Sequence, residues 1–279
     1  MIDAAAVGRA VYEGIRRSAS ELRPDVLAAL HVALESERSE RGREVLRQLV
    51  ENAAVAAADQ VPLCQDTGTV WVRLELGAEE GVRGDVQSAV DAAVAEAYHD
   101  LGLRMSLVRD ALLDRANTGD NTPAFVEVVL RDGVGATVDV MLKGGGSDNA
   151  SSLVMLPPSA GLEGVREAVL AAVEAKATGA CPPLLVGVGV GTTFDKVAAL
   201  AKHALLRPIG TPPADERLAA IEAELLSAIN ATGIGPAGLG GDTTALAVHV
   251  ETAPCHIAAL PVAVNLGCCA VRSTRVEVA

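Results

Sequence analysis

Aromatic side chains are almost missing from this sequence. One Trp, two Tyr and two Phe make up 2% of its 279 residues. Half of the chain is apolar, mostly Ala and Val, so the core must be filled by small aliphatic side chains in close contact. Also missing is any run approaching eighteen uninterrupted apolar residues, which removes a membrane-spanning helix of ordinary length. The opening MIDAAAVGRAVYEGIRRSAS interleaves acid and base and has no apolar stretch of the kind a secretory leader carries, so a cytoplasmic location is expected. No C-x-x-C pair occurs, which argues against the usual structural zinc sites. Positive charge is in deficit: 23 Lys and Arg against 36 Asp and Glu leave a formal net charge of −13. Such a field repels nucleic acid and anionic membranes, so neither is an expected partner. A small anion could bind only through a local group of Arg, backbone N–H donors or a metal.

What is present reads as a mixed α/β protein. The length allows one large domain or two modest ones. The first sixty residues have helical spacing, in DVLAALHVALESE and again in REVLRQLVENAAVAAA, with Ser39 placed to cap the second. TVWVRLEL alternates as a strand should, and GDVQSAVDAAVAEAYHDLG returns to helical period. AFVEVVLRDGVGATVDVMLK reads as two strands split by RDGVG, a hairpin signal. From residue 159 strand and helix alternate, ending in a strand-rich tail. The expected architecture is a helical N-terminal region followed by a two-lobed α/β body with mixed sheets. Its boundary falls near GGGSDNASSLVMLPPSA, giving lobes of about 1–150 and 151–279 within one catalytic domain.

The polar and cysteine-bearing pieces lie in Gly- and Pro-rich turns: LCQDTG, NTGDNTP, KGGGSDN, TGACPP, GIGPAGLGGDTT and NLGCCAVR. Turns at the ends of regular elements are where scaffolds present chemistry. Five cysteines (Cys64, Cys181, Cys255, Cys268 and Cys269) are an odd number, widely spaced, which in a reducing compartment favours metal binding or catalysis over a disulfide framework. Each alone could be a small buried hydrophobe. Isolated thiolates from distant turns would also suit an iron–sulfur cluster. GVGVGTT follows a strand and opens a helix, but its glycines at 187, 189 and 191 match neither phosphate-loop pattern. KGGGSDN could be a backbone anion nest or a hinge. Arg104, Arg272 and His256 are possible handles for an anion, with a solvated Arg or a satisfied buried His as the plainer alternatives.

Taken in order over about residues 60 to 272, PLCQDTG, NTGDNTPA, KGGGS, ACPPLLVGVGVGTTFDKVAALAKHALLRPIG, GIGPAGLGGDTT and HIAALPVAVNLGCCAVR resemble the iron–sulfur (class I) fumarate hydratases and their tartrate-dehydratase relatives. The resemblance implies an alpha subunit, equivalent to the N-terminal domain of single-chain forms, and hence a separate beta subunit in an α2β2 assembly. It implies a 4Fe-4S cluster held by Cys64, Cys181 and Cys268, with Cys255 and Cys269 outside the ligand set. Asp66, Gln65 and His256 become the expected catalytic residues. Arg104, Gly144, Gly145, Gly146 and Arg272 become the expected dicarboxylate contacts. The implied reaction is reversible hydration of fumarate to L-malate, with L(+)-tartrate or a methylated fumarate as alternative substrates. A cluster-binding scaffold or sensor without turnover is the alternative of another class.

Overall fold

In a computed structural model that describes residues 1–279, the chain opens with β1 (Ile2–Asp3), α1 (Ala4–Ser20), α2 (Pro24–Ser36) and α3 (Glu40–Asp59). There follow β2 (Thr69–Gly77), β3 (Val82–Arg83), α4 (Val86–Asp100), β4 (Phe125–Arg131), β5 (Ala136–Lys143) and the short α5 (Gly145–Asn149). Then come β6 (Ser152–Leu156), α6 (Gly161–Lys176), β7 (Leu184–Thr192), α7 (Phe194–Ala204), α8 (Arg217–Ala231), β8 (Ala245–Cys255), β9 (Leu260–Gly267) and β10 (Ser273–Glu277). The fold is mixed α/β, as the sequence predicts. Ser39 does cap α3, its hydroxyl accepting the Gly42 N–H at 3.1 Å. No helix is long and apolar enough to cross a membrane.

The chain divides into two compact units: residues 1–23, 53–145 and 272–279 in one, and residues 24–52 and 146–271 in the other. Two segments of this division lie apart in sequence from the bulk of their unit. Residues 272–279 join the earlier unit because β10 pairs antiparallel with β5. Residues 24–52 join the later unit, where α2 packs on β8.

In the earlier unit the sheet order is β10-β5-β2-β4. The alternation of β2 and β5 sends Val70, Val72, Leu74 and Val138, Val140, Leu142 to one face, where Val7, Val11 and Ile15 of α1 and Val90, Val94 and Tyr98 of α4 cover them. The expected hairpin of β4 and β5 does not form. β2 lies between them, parallel to β4 and antiparallel to β5. The RDGVG connection arches past the end of β2, with the Gly77 N–H donating to Gly135 O at 2.8 Å and the Ala78 N–H to Arg131 O at 2.7 Å. A Cβ on Gly77 would lie 2.7 Å from the Val134 backbone, so only glycine lets the loop pass.

In the later unit the sheet order is β6-β9-β7-β8, with β7 parallel to β8 and antiparallel to β9. Val186 and Val188 point to the core formed with α6 and α8. Gly187 and Gly189 point the other way. A Cβ on Gly189 would stand 2.7 Å from Ala201 N and from Val197 O, so α7 rests on the bare backbone of β7. The glycine alternation in GVGVG is therefore a helix-on-strand packing device.

Candidate functional site

The CQDTG loop links α3 to β2, and two side chains from the earlier unit hold it. The hydroxyl of Tyr98 donates to Thr67 O at 3.1 Å and Gly68 O at 3.0 Å, and Asn121 Nδ2 donates to Gly68 O at 3.1 Å. Tyr98 and Asn121 are fully buried, and burial pushes the Tyr98 phenol well above its ordinary range. Gly68 needs its bare Cα, since a Cβ would sit 2.8 Å from the Gly144 nitrogen. The Thr67 hydroxyl donates to Arg104 O at 2.7 Å, which ties the Arg104 backbone to the same loop and leaves its side chain exposed.

That scaffold brings several predicted site residues together. Asp66 Oδ2 accepts the Gly145 N–H at 2.8 Å. A point at the Cβ direction of Gly144 lies 3.2 Å from Asp66 Oδ2 and 3.4 Å from Arg272 Nη2, so carboxylate and guanidinium converge on this glycine. Arg272 is 3% exposed and enters from the strand side, its carbonyl accepting the Leu142 N–H at 2.9 Å. Gln65 is exposed beside Cys64, whose thiol approaches Gln65 Oε1 at 3.5 Å.

In the later unit four of the glycine- and cysteine-bearing turns meet at one end of the sheet. Cys181 lies just before β7, exposed, with φ at +55°. Its carbonyl accepts the Cys269 N–H at 3.1 Å, which sets the Cys268–Cys269 turn beside it. The Val271 N–H closes that turn on Cys268 O at 3.2 Å. Pro182 O takes the Ala237 N–H at 2.8 Å, which adds the GIGPAGLGG loop. Gly146 completes the group, because a Cβ there would be 2.5 Å from Gly179 O.

His256 is at the other end. It follows β8, whose Cys255 pairs with Thr192 at the far end of β7. It is exposed, so the reading of a satisfied buried histidine does not hold. Cys255 is exposed beside it.

All five cysteines are free thiols. No group of three or more His, Cys, Asp or Glu side chains stands close enough to hold a single metal ion. A four-iron cluster is wider than an ion and keeps its thiolates apart, so the local test is whether soft ligands share one end of a rigid element. Cys181 and Cys268 do, and two soft thiol donors held at one end of the sheet fit an iron–sulfur cluster.

Two further residues shape the loop that meets Pro182. Glu37, 3% exposed, accepts the N–H groups of Ser39, Asp242 and Thr243. Asn230 Oδ1 accepts those of Thr244 at 2.9 Å and Ala245 at 2.8 Å. Sequence reading missed both. Glu37 sits in the charged run ESERSE, which looks like a solvated face.

Comparison with known proteins agrees with this geometry in kind. The family described as fumarate hydratase (Fumerase) matches residues 8–277. A protein of Methanocaldococcus jannaschii, provisionally named an L(+)-tartrate dehydratase subunit alpha, is 39% identical over 269 residues, covering 94% of each chain. The L(+)-tartrate dehydratase subunit alpha of Escherichia coli strain K12 is 35% identical over 252 residues, covering 89% of this chain and 82% of its own.

Proposed function

The chain belongs to the fumarate hydratase (Fumerase) family, and from that premise we propose that it is the alpha subunit of an iron–sulfur hydro-lyase. The enzyme adds or removes water across the central carbon–carbon bond of a four-carbon dicarboxylate, interconverting fumarate and L-malate. A second reading, loss of water from L(+)-tartrate, is favoured by the names of the relatives. A beta subunit completes the assembly.

Cys64, Cys181 and Cys268 are the ligands in this reading. The observation that carries it is the Cys269 N–H to Cys181 O bond, which holds two of the three cysteine turns side by side. When bound, a cluster with three thiolate ligands offers one iron as a Lewis acid for the substrate's hydroxyl and adjacent carboxylate. The chain's own groups do the rest. Asp66 has one oxygen fixed by the Gly145 N–H, so its other oxygen is free to hold a proton or take one up. Gly145 thus orients the acid, and Gly144 and Gly146 take part through bare backbone, since a side chain would meet Asp66 and Arg272 at the first and Gly179 O at the second. Arg104 and Arg272 supply positive charge where carboxylate charge develops, and Gln65 an amide beside Cys64. This local cationic set meets the demand that a net charge of −13 places on an enzyme for an anion. His256, expected from the sequence to be catalytic, lies at the opposite end of the same sheet from Cys181 and Cys268 and has no step in this reading.

The test is anaerobic reconstitution of the chain with its beta partner. Iron and sulfide content, charge-transfer absorption, and consumption of fumarate and of L(+)-tartrate are measured side by side. Cys64→Ala, Cys181→Ala and Cys268→Ala should each lose colour and turnover, and Cys255→Ala should keep both. Full iron content in any of the first three removes that cysteine from the ligand set, and the ratio of kcat/KM values decides the substrate.

A further inference from the structure

Cys269 has no place in the proposed ligand set, yet its backbone is joined directly to that of Cys181. The Cys269 N–H donates to Cys181 O at 3.1 Å. Residues joined by such a bond hold their Cα atoms roughly 5–6 Å apart. That spacing falls inside the window of about 4.4–6.8 Å that a disulfide spans. No disulfide joins any of the five cysteines, and both members of this pair reach the surface: Cys181 is exposed and Cys269 half-buried. The backbone alone sets the spacing, with no help from a metal.

We propose that Cys181 and Cys269 close a reversible disulfide when the chain carries no cluster, with a hydroperoxide as the oxidant. The pairing needs only this geometry. Its consequence rests on the proposed function, in which Cys181 is a ligand and Cys269 is not. One thiol takes an oxygen from the peroxide, whose O–O bond breaks, leaving a sulfenic acid and an alcohol or water. The second thiol attacks that sulfur, the S–S bond forms, and the sulfenic oxygen departs as water. Two electrons pass from the two thiols to the peroxide. Closed in this way, Cys181 is withheld from iron and is kept from the irreversible sulfinic and sulfonic acids. An external dithiol reopens the bond by exchange and returns the ligand.

Geometry selects this pair over the others. Cys268 and Cys269 are consecutive, and Cα atoms about 3.8 Å apart fall short of the window. The register of β7 and β9 sets Gly267 against Leu185, so Cys268 falls opposite Leu184, three residues past Cys181. The turn that the Val271 N–H closes on Cys268 O puts Cys269 at its tip, folded back onto Cys181. Cys255 pairs with Thr192 at the far end of β7. That strand is nine residues long, and at about 3.3 Å per residue it keeps Cys255 roughly 25–30 Å from Cys181. Cys64 belongs to the other compact unit.

The experiment uses the full chain with its beta partner, stripped of iron by a chelator and treated with hydrogen peroxide. Intact-mass spectrometry should show the wild-type chain lighter by two hydrogens, and peptide mapping should join the segments that hold Cys181 and Cys269. Cys269→Ala should instead carry two added oxygens on Cys181. A dithiol should restore mass and iron uptake to the wild type but not to the variant. Before oxidation the variant should bind as much iron as wild type, which shows that it folds.

A wild-type crosslink from Cys181 to Cys268 or Cys64 overturns the pairing, as does a Cys269→Ala chain that closes as fast as wild type. Iron binding lost in the unoxidised variant would make Cys269 a ligand and overturn the consequence. A wild-type chain that never takes up iron counts against the proposed function instead, and the mass and the peptide map then read the disulfide by themselves.

Discussion

Replacing Glu37 by Gln should cost about 3 kcal/mol, although the two side chains differ by one atom. Glu37 follows α2 and is 3% exposed. Oε1 accepts from Ser39 N at 3.0 Å and Asp242 N at 2.9 Å, and Oε2 accepts from Asp242 N at 2.9 Å and Thr243 N at 3.0 Å. An amide keeps one acceptor and turns an N–H2 group toward backbone donors. Hydrogen bonds to a charged group contribute about 1.5–3 kcal/mol each. One is lost outright, and the remaining ones fall to the neutral value of about 1 kcal/mol. The loop cannot easily retreat, because a Cβ on neighbouring Gly241 would already lie 2.9 Å from Oε1. With an unfolding entropy of about 2.1 cal/mol/K per residue, a 3 kcal/mol loss lowers Tm by about 5 °C. Urea unfolding followed by circular dichroism is the assay. An unchanged slope with a stability loss below about 1 kcal/mol would refute the claim that this carboxylate holds the Asp242–Thr243 turn.

Tyr98→Phe should cost about 1–2 kcal/mol by leaving Thr67 O without its donor and Gly68 O with one donor fewer. It should also speed iron loss from the reconstituted enzyme, since Cys64 precedes the loop that this hydroxyl holds, and an unaltered release rate would argue against that role. Glu13 is drawn down to about 2, chiefly by the Arg16 hydrogen bonds, with burial opposing and Arg17 adding to the effect. Its stabilisation is therefore fully present above the ordinary 4.5 and lost as pH falls toward 2. The carboxylate is one-third exposed, so screening keeps the effect below about 1 kcal/mol. Wild type and Glu13→Gln compared by urea midpoint should differ at pH 6 and converge near pH 2; a gap that widens on acidification contradicts the assignment.

Much of the local structure was legible because helical period and strand alternation are local signals. Ser39 as a cap and the helix after GVGVGTT follow from residues within a turn of each other. Pairing is different. The runs on either side of RDGVG read as a hairpin, yet β2, more than fifty residues upstream of β4, takes the place between them. Nothing local encodes that choice. The site divides in the same way. Motif turns name Cys64, Asp66, Cys181 and Cys268, whereas Tyr98, Asn121 and Glu37 act as single side chains on distant backbone and leave no pattern. His256 shows a further limit. Sequence order places it twelve residues from Cys268, and only strand geometry turns that interval into a full sheet length.

Ribosomal synthesis meets an obstacle in β10. Ser273–Glu277 supply the strand beside β5, so the earlier unit receives its last strand only after every strand of the later unit has been made. Until then β5, buried along all eight residues in the finished protein, emerges with one edge bare. The half that is translated first is thus the half that can close last. A nascent chain stalled before residue 273 carries an open template for wrong partners.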